Sequence, residues 1–506
     1  MTPTLHNSAG IILVFFGWLA TRRGAAALAG FDRWLLLDAA LPATVFALLL
    51  ALSARPLFSG ALTMIFGAGF AYAERAKRRT LGEPIVFTDV FQTIDIFRHP
   101  RLAMPFPNRL PIVLFGAFAL SAFAALYGFE AAVPALRAPL PIMALLATPV
   151  AAAWLSVGPL NRKLAQALRR DNMTGEPFDD AARFGTLATL LGYGIVARAE
   201  RSARRKVAAP LPQAARAKPN AAPASVILVQ CESFFDARRL GASIVPDLLP
   251  CFDRLSGESL QSGRLGVPCW GANTVRTEFA VLSGLTEGLL GMDRFNPYYR
   301  FARQPLDSLA ARLRAQGYRT VCIHPFDGRF YARREVLPHL GFDIFIGEEA
   351  FRGAPRVGGF VADLAIPPVV ETLIAEARQP LFVFVITLEN HGPWTLPLPG
   401  GAPLLAPGAG LPLARDAALE RYLASLRNSD AMLAALSSRI DDGRLIGFYG
   451  DHQPGPPLTD CSRPDNRSDY LIWRAGWRGG GQRVDLAAHE LGAALLRAAS
   501  GPGSFH

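Results

Sequence analysis

Residues 445–452, reading Leu-Ile-Gly-Phe-Tyr-Gly-Asp-His, run an apolar strand into an adjacent carboxylate and imidazole. Asp451 and His452 are thereby candidate ligands of one metal ion at the carboxyl end of a strand, where open α/β sheets place their sites. Two neighbouring ligands do not close a metal site, and the same pair could be a solvated turn after a core strand. A second buried-strand pattern, Ser-Val-Ile-Leu-Val-Gln-Cys-Glu at 225–232, ends in Glu232 and should bring that carboxylate to the same sheet edge. A third segment, Gly-Ala-Asn-Thr-Val-Arg-Thr-Glu-Phe at 271–279, reads as a polar turn opening a helix that continues through Leu282, with Asn273 at the N-cap and Thr274 at the helix start. A hydroxyl there sees the positive end of the helix dipole and free N–H groups, which favour a phosphate and a deprotonated nucleophile. Thr274 could also be a simple capping threonine.

Together these segments resemble the phosphoglycerol transferases of the lipoteichoic acid synthase and OpgB (MdoB) group, in the alkaline phosphatase and sulfatase superfamily. The resemblance spans about residues 225–475. It implies a single divalent ion bound by Glu232, Thr274, Asp451 and His452, with Thr274 as nucleophile. The run Asn-Thr-Val-Arg-Thr-Glu-Phe is closer to the glucan-modifying branch. Residues 380–394 form a further strand ending at His391, matching the family's substrate-facing histidine, which could hydrogen-bond the transferred phosphate or protonate a leaving alkoxide. Between a strand ending near Pro325 and a short helix to Leu340, the resemblance puts an aromatic and an arginine at Tyr331 and Arg333, around the glycerol phosphate. Arg329 or Arg334 could serve instead. Arg276 lies beside the nucleophile, either as a substrate contact or packed over a neighbouring carboxylate.

A phosphodiester is anionic, so attack needs charge neutralisation, an activated oxygen and in-line positioning. The implied reaction displaces diacylglycerol from phosphatidylglycerol, leaves glycerophosphate on Thr274 and passes it to a glycan hydroxyl, in two steps. Carboxylate, hydroxyl and one imidazole make a mostly hard ligand set, suiting Mn²⁺, with Mg²⁺ or Zn²⁺ as alternatives.

The front of the chain says where such a substrate is met. The 506 residues are 51% hydrophobic, with mean hydropathy +0.24, too apolar for an ordinary soluble enzyme and long enough for two domains. Segments 34–54, 56–73, 110–128 and 140–158 each approach the roughly 20 residues that cross a bilayer core. Segment 8–20 is shorter: a fifth span, an interfacial segment or the remnant of a longer one. Asp38, Pro42, Pro141 and Pro149 point to helix–helix contact rather than lipid. The division expected is a transmembrane helical bundle over 1–160, a basic juxtamembrane segment and linker over 161–224, and a catalytic domain over 225–506. Within the middle segment, 184–197 reads as an apolar helix at the membrane surface. Arg201, Arg204, Arg205 and Lys206 could hold anionic headgroups or form a plain basic tether.

A net charge of +11 fits an anionic membrane surface, and no groove-reading module supports a nucleic-acid partner. The family requires its catalytic domain outside the cytoplasm, on the periplasmic side of a bacterial inner membrane. The basic residues after position 158 argue the opposite by the positive-inside rule, unless 184–197 is a late span that restores the family placement.

Strand-like runs at 226–231, 319–323, 381–387, 445–450 and 469–473 alternate with helical patterns at 305–315, 364–377, 417–440 and 485–499, the signature of a doubly wound, mostly parallel α/β sheet. Residues 395–415 form a Pro- and Gly-rich loop where an acceptor could dock. Five cysteines leave at least one unpaired and allow a Cys251–Cys269 disulfide, while Cys231 reads as a small buried side chain. Two further classes of function share these features: a phosphoethanolamine transferase, phosphodiesterase or sulfatase-like hydrolase with the same site, or a silent glycan- or partner-binding protein. A true sulfatase is disfavoured because Thr274 lacks the Cys/Ser-x-Pro-x-Arg context. Oligomeric state is not encoded in any of these patterns.

Overall fold

The computed structural model describes residues 3–24, 34–90, 98–99, 110–133, 158–208, 225–241, 243–394, 403–405, 413–439, 443–459 and 465–499. The chain forms two compact units, one of residues 1–93 with 104–202, the other of 94–103 with 203–506. The expected segment 140–158, nearly all of the 395–415 loop and Cys461 lie outside the described residues.

In the first unit, helices Leu35–Ser53 and Pro56–Leu81 are long and apolar enough to cross a bilayer, and further helices run over Pro3–Gly24 and Leu110–Phe129. The first expected segment, 8–20, is thus part of a longer helix. Glycines at seven-residue spacing let two helices touch: a Cβ on Gly60 would strike the Gly10 backbone, and one on Gly67 the Gly17 backbone. Asp38 and Pro42 are buried, as their contact role predicts. Asp38 accepts from Trp18 Nε1 (2.7 Å), Arg22 Nη1 (2.9 Å) and the Ala188 N–H (3.0 Å). The 184–197 segment departs from expectation. It belongs mostly to helix Thr186–Val207, whose Leu187, Ala188, Tyr193, Val196 and Ala197 are buried inside the protein, so the apolar face is used for packing and is not free to enter lipid. The basic end of that helix is also engaged with protein. Arg204 donates to the carbonyls of Gly288 and Leu289, and Arg205 to that of Phe301.

The second unit is built on one sheet. Its strands are β1 (Ser225–Cys231), β2 (Gln261–Gly266), β3 (Arg319–Ile323), β4 (Ile344–Ile346), β7 (Leu381–Ile386), β8 (Leu445–Gly450), β9 (Arg467–Arg474), β10 (Gln482–Arg483) and β11 (Leu486–Ala487). A separate hairpin pairs β5 (Arg356–Val357) with β6 (Phe360–Val361). Along the sheet the order is β10-β2-β9-β8-β1-β7-β3-β4, with β11 also on β2. The centre, β8-β1-β7-β3-β4, is parallel, whereas β9 runs antiparallel to both β8 and β2. The three central strands are buried along their whole length because helices cover both faces. Ile227, Val229, Val383, Val385, Ile446 and Phe448 face a core shared with helices Pro250–Glu258, Ile366–Ala375 and Leu413–Ser437. Val226, Leu228, Phe382, Phe384, Leu445 and Tyr449 face the core of helices Thr274–Ser283, Leu309–Ala315 and Ala488–Ala499.

The five expected strands all appear. Missing from the sequence reading were β2, whose Gln-Ser-Gly-Arg-Leu-Gly is polar and glycine-containing, and the short edge strands. The Cys251–Cys269 disulfide does not form. Both cysteines are buried and in no disulfide, Cys251 against Ser437 and Cys269 against Thr277.

Register does the positioning. Cys231 pairs with Gly450 and Gln230 with Ile386, so Glu232, Asp451 and Thr387 emerge side by side where the three strands end. Gly450 leaves no room for a side chain, since a Cβ there would overlap the Phe234 carbonyl oxygen. Gly450→Ala is therefore expected to cost ~1–3 kcal/mol of folding stability through overpacking. It should also weaken metal binding at the adjoining Asp451. A denaturation midpoint and a metal titration equal to the parent's would contradict that account.

Candidate active site

Glu232, Asp451 and His452 come together, with one potential ligand atom from each lying within 4.8 Å of the others, and all three are buried. His452 Nε2 stands 3.7 Å from Glu232 Oε1 and 3.5 Å from Asp451 Oδ2. The backbone after Glu232 turns through a left-handed Ser233 (φ 50°), which aims its N–H at Asp451 Oδ1 (2.7 Å) while its hydroxyl donates to Glu232 Oε1 (2.7 Å). The His452 N–H also donates to Asp451 Oδ1 (2.9 Å), and the Thr277 hydroxyl donates to the Asp451 carbonyl (2.7 Å). The His452 Nδ1 lies 2.9 Å from the Gln453 carbonyl and so carries the ring proton, leaving the Nε2 lone pair toward the carboxylates.

Burial and the nearby Glu232 push the Asp451 carboxyl up to about 7, with His452 opposing. For His452 burial works against the charged form, but Asp451 and Glu232 outweigh it and raise the imidazole. The donor set fits a divalent cation. Asp451 Oδ2 is buried without a hydrogen bond of normal geometry, and two carboxylates plus a lone-pair-bearing imidazole crowd one spot that a cation would stabilise.

Thr274 opens helix Thr274–Ser283, its hydroxyl 3.5 Å from His452 Nε2, and unlike the three ligands it is half-buried. Asn273 holds the cap position in a left-handed conformation (φ 66°), but its side chain makes no capping bond to the helix, contrary to the simple N-cap expectation. The turn is instead braced by the Cys269 thiol, 3.5 Å from both the Asn273 carbonyl and the Thr277 hydroxyl.

The remaining expected residues are placed differently. His391 follows β7, half-buried, with Nδ1 2.6 Å from the Gly392 carbonyl and its ring 5.6 Å from Phe360. Arg276 donates to Glu287 (2.6 Å), with its guanidinium 6.0 Å from the Phe295 ring. Tyr331 sits at a left-handed turn (φ 54°), its ring 5.2 Å from the Arg333 guanidinium. Burial pushes its phenol up, Arg333 opposes, and Glu232 adds to the rise.

Arg333 is 2% exposed, and the fork edge expected to grip a phosphodiester is taken by Glu278, at 2.8 Å from Nη2 and 3.1 Å from Nε. Its Nη1 meets His324 Nε2 at 3.2 Å. Arg329 and Arg334, the alternatives, are exposed and paired with Asp327 and Glu349. Sequence reading missed Glu278 and His324. Both sat inside segments already singled out, one four residues after Thr274 and one at the end of β3, but neither signals its partner without the fold.

Ser233 orients the candidate ligands Glu232 and Asp451. Ser233→Ala is expected to lower Mn²⁺ affinity by roughly 10–100-fold, the usual cost of losing such a supporting hydrogen bond. Calorimetric titration of the variant against the parent measures it, and equal affinities would refute the role.

Comparison with known proteins agrees with this geometry. The sulfatase family profile matches residues 224–491. The capsular polysaccharide biosynthesis protein RkpI of Rhizobium meliloti (strain 1021) is 34% identical over 447 residues, covering 85% of this chain and 79% of its own. The putative cyclic beta-1,2-glucan modification protein of the same organism is 32% identical over 233 residues, 45% of this chain and 35% of its own. Among solved structures, the integral membrane lipooligosaccharide phosphoethanolamine transferase A (EptA) from Neisseria meningitidis shares the fold over 97% of this chain and 94% of its own, at a TM-score of 0.53 and 11% identity. A profile match over more than half the chain, spanning the strands that lead to Glu232, Asp451 and His452, places this protein in the sulfatase family of the alkaline phosphatase superfamily.

Proposed function

We propose that this protein is a membrane-bound, metal-dependent phosphoglycerol transferase. The observation that carries the proposal is a half-buried threonine hydroxyl at a helix N-terminus, beside a buried Glu232, Asp451 and His452 cluster suited to a divalent cation. In this reading Thr274 Oγ attacks the phosphorus of phosphatidylglycerol and releases its proton to solvent. The phosphorus–oxygen bond to diacylglycerol breaks, and the departing alkoxide takes a proton, with His391 as the proposed donor. Glycerophosphate remains esterified to Thr274. A glycan hydroxyl then attacks the same phosphorus and passes its proton to His391, the phosphorus–oxygen bond to Thr274 breaks, and the threonine oxygen regains a proton from solvent. A divalent ion held by Glu232, Asp451 and His452, Mn²⁺ by preference for this oxygen-rich set, supplies Lewis acidity that lowers the hydroxyl pKa and offsets phosphate charge.

Tyr331 and Arg333 are the proposed contacts to the glycerol phosphate. Arg333 acts through the N–H groups that Glu278 and His324 leave over. A glycan acceptor is supported by the relatives, whose names concern a capsular polysaccharide and a cyclic glucan. A bilayer-embedded donor is supported by the two helices long and apolar enough to span. Both substrates put the catalytic unit on the outer face of the cytoplasmic membrane in this proposal.

The test is diacylglycerol release from labelled phosphatidylglycerol by the full-length chain in detergent, with Mn²⁺ or with chelator. Thr274→Ala should abolish release and covalent labelling while retaining Mn²⁺ binding, because three ligands remain. Release by the variant at the parent rate would remove Thr274 from the mechanism. Turnover of phosphatidylethanolamine in place of phosphatidylglycerol would keep the site and change the donor.

A further inference from the structure

We infer that Glu278 is a positioning residue for the transfer reaction, holding Arg333 and the Tyr331 turn in register with the Thr274 nucleophile. The inference rests on the phosphoglycerol-transfer reading. Glu278 lies four residues after Thr274 on the same helix, hence on the same face, one turn further from the site. It is fully buried, and every contact it makes is to a different part of the catalytic unit. Arg333 donates through Nε (3.2 and 3.1 Å) and Nη2 (2.8 Å), Tyr298 through its hydroxyl (2.8 Å), and Gln230 of β1 through Nε2 (3.3 Å). Gln230 in turn accepts from the Tyr449 hydroxyl of β8 (2.5 Å). Arg333 Nη1 meets His324 Nε2, and His324 Nδ1 faces the Ile386 carbonyl at the end of β7 (3.1 Å). One carboxylate thus ties the nucleophile helix to the carboxyl ends of β1, β3, β7 and β8.

The chemistry of the fork sharpens the role. A guanidinium has five N–H donors. Glu278 and His324 engage Nε, Nη2 and Nη1 once each, leaving one N–H on each terminal nitrogen. With its other edge fixed, the group can offer those two donors in one direction only. His324, whose Nδ1–H is directed to Ile386, accepts from Arg333 and serves as a spacer, not as a proton carrier. Tyr331 and Ala332, just before Arg333, both take left-handed backbone conformations (φ 54° and 55°), so the turn carrying the aromatic ring is held from the arginine side. Without Glu278 the arginine becomes a buried cation lacking a counter-charge, and it must move, taking the turn with it.

The experiment compares full-length variants on phosphatidylglycerol at saturating Mn²⁺. Glu278→Gln should raise KM and lower kcat/KM by roughly 100-fold, the cost of about 1 Å of misplacement, while Mn²⁺ affinity stays at the parent value. The Glu278→Gln/Arg333→Met double variant removes both buried charges. It should regain thermal stability while kcat/KM stays low, because Arg333 is itself the proposed phosphate contact; its melting temperature gives the cost of the unpaired charge separately from the positioning effect read in Glu278→Gln. If Glu278→Gln does not fold, Tyr298→Phe keeps the ion pair and removes one donor to Glu278, and it should raise KM with Mn²⁺ affinity at the parent value. Parent-like KM and kcat in Glu278→Gln, recovered kcat/KM in the double variant, or parent KM in Tyr298→Phe would each overturn the inference. A parent enzyme that releases nothing from phosphatidylglycerol but turns over another phospholipid sinks the donor assignment instead, and the same comparison is then read on that donor. Silence on every donor overturns both.

Discussion

Everything in the catalytic unit follows from gathering two carboxylates and an imidazole at one dry sheet edge. Like charges within about 4 Å in a low-dielectric setting repel by several kcal/mol unless a proton or a cation intervenes. The fold meets that cost with three inflexible strands whose register is fixed by burial on both faces. A one-residue slip of β8 against β1 would turn Asp451 to the opposite face and expose the alternation of Ile446 and Phe448. The core and the site therefore enforce the same register, and a cation at the cluster would stabilise what the strands impose.

Around that edge, the supporting groups divide their work. Ser233 and the His452 N–H fix the orientation of Asp451 from one side, and Thr277 does so from the nucleophile helix. Thr274 is thereby coupled to the ligands through its own helix and not only by proximity. The Tyr422 hydroxyl, reaching the Ser233 carbonyl at 2.5 Å, carries the same constraint into helix Leu413–Ser437. Glu278 extends it to the arginine loop. Such fully satisfied buried networks rigidify a site, because any displacement leaves a polar group without a partner.

The first unit obeys a different logic. Its long helices approach closely where glycines face each other, and the buried carboxylates Asp38, Glu74 and Glu130 are paired within the protein. Glu130 accepts from the Leu57 and Phe58 N–H groups at the start of helix Pro56–Leu81, as Asp38 does for Ala188 near the start of helix Thr186–Val207. These carboxylates take over the orphan donors of helix N-termini, which lipid could not satisfy. Within the second unit, Arg204 and Arg205 donate to backbone carbonyls, so part of a basic run that reads as a headgroup patch is used in that unit's own packing.

The sequence by itself determined the parts whose chemistry is local. Continuous apolar runs ending in Glu232 and in Asp451 and His452 declared buried parallel strands with ligands at their tips. The polar turn before Thr274 declared a helix N-terminus. Long apolar segments declared long helices, two of them long and apolar enough to cross a bilayer. Only the tertiary structure decided what depends on a distant partner. The pairing of Arg333 with Glu278, that of Arg276 with Glu287 and the burial of much of 184–197 depend on partners that no local pattern names. Strand β2 stayed hidden because its pairing with β9, and not its composition, makes it a strand. A side chain's type fixes what it can bond, but which bond it makes is set by what the fold brings within 3 Å, and no spacing along the chain records that.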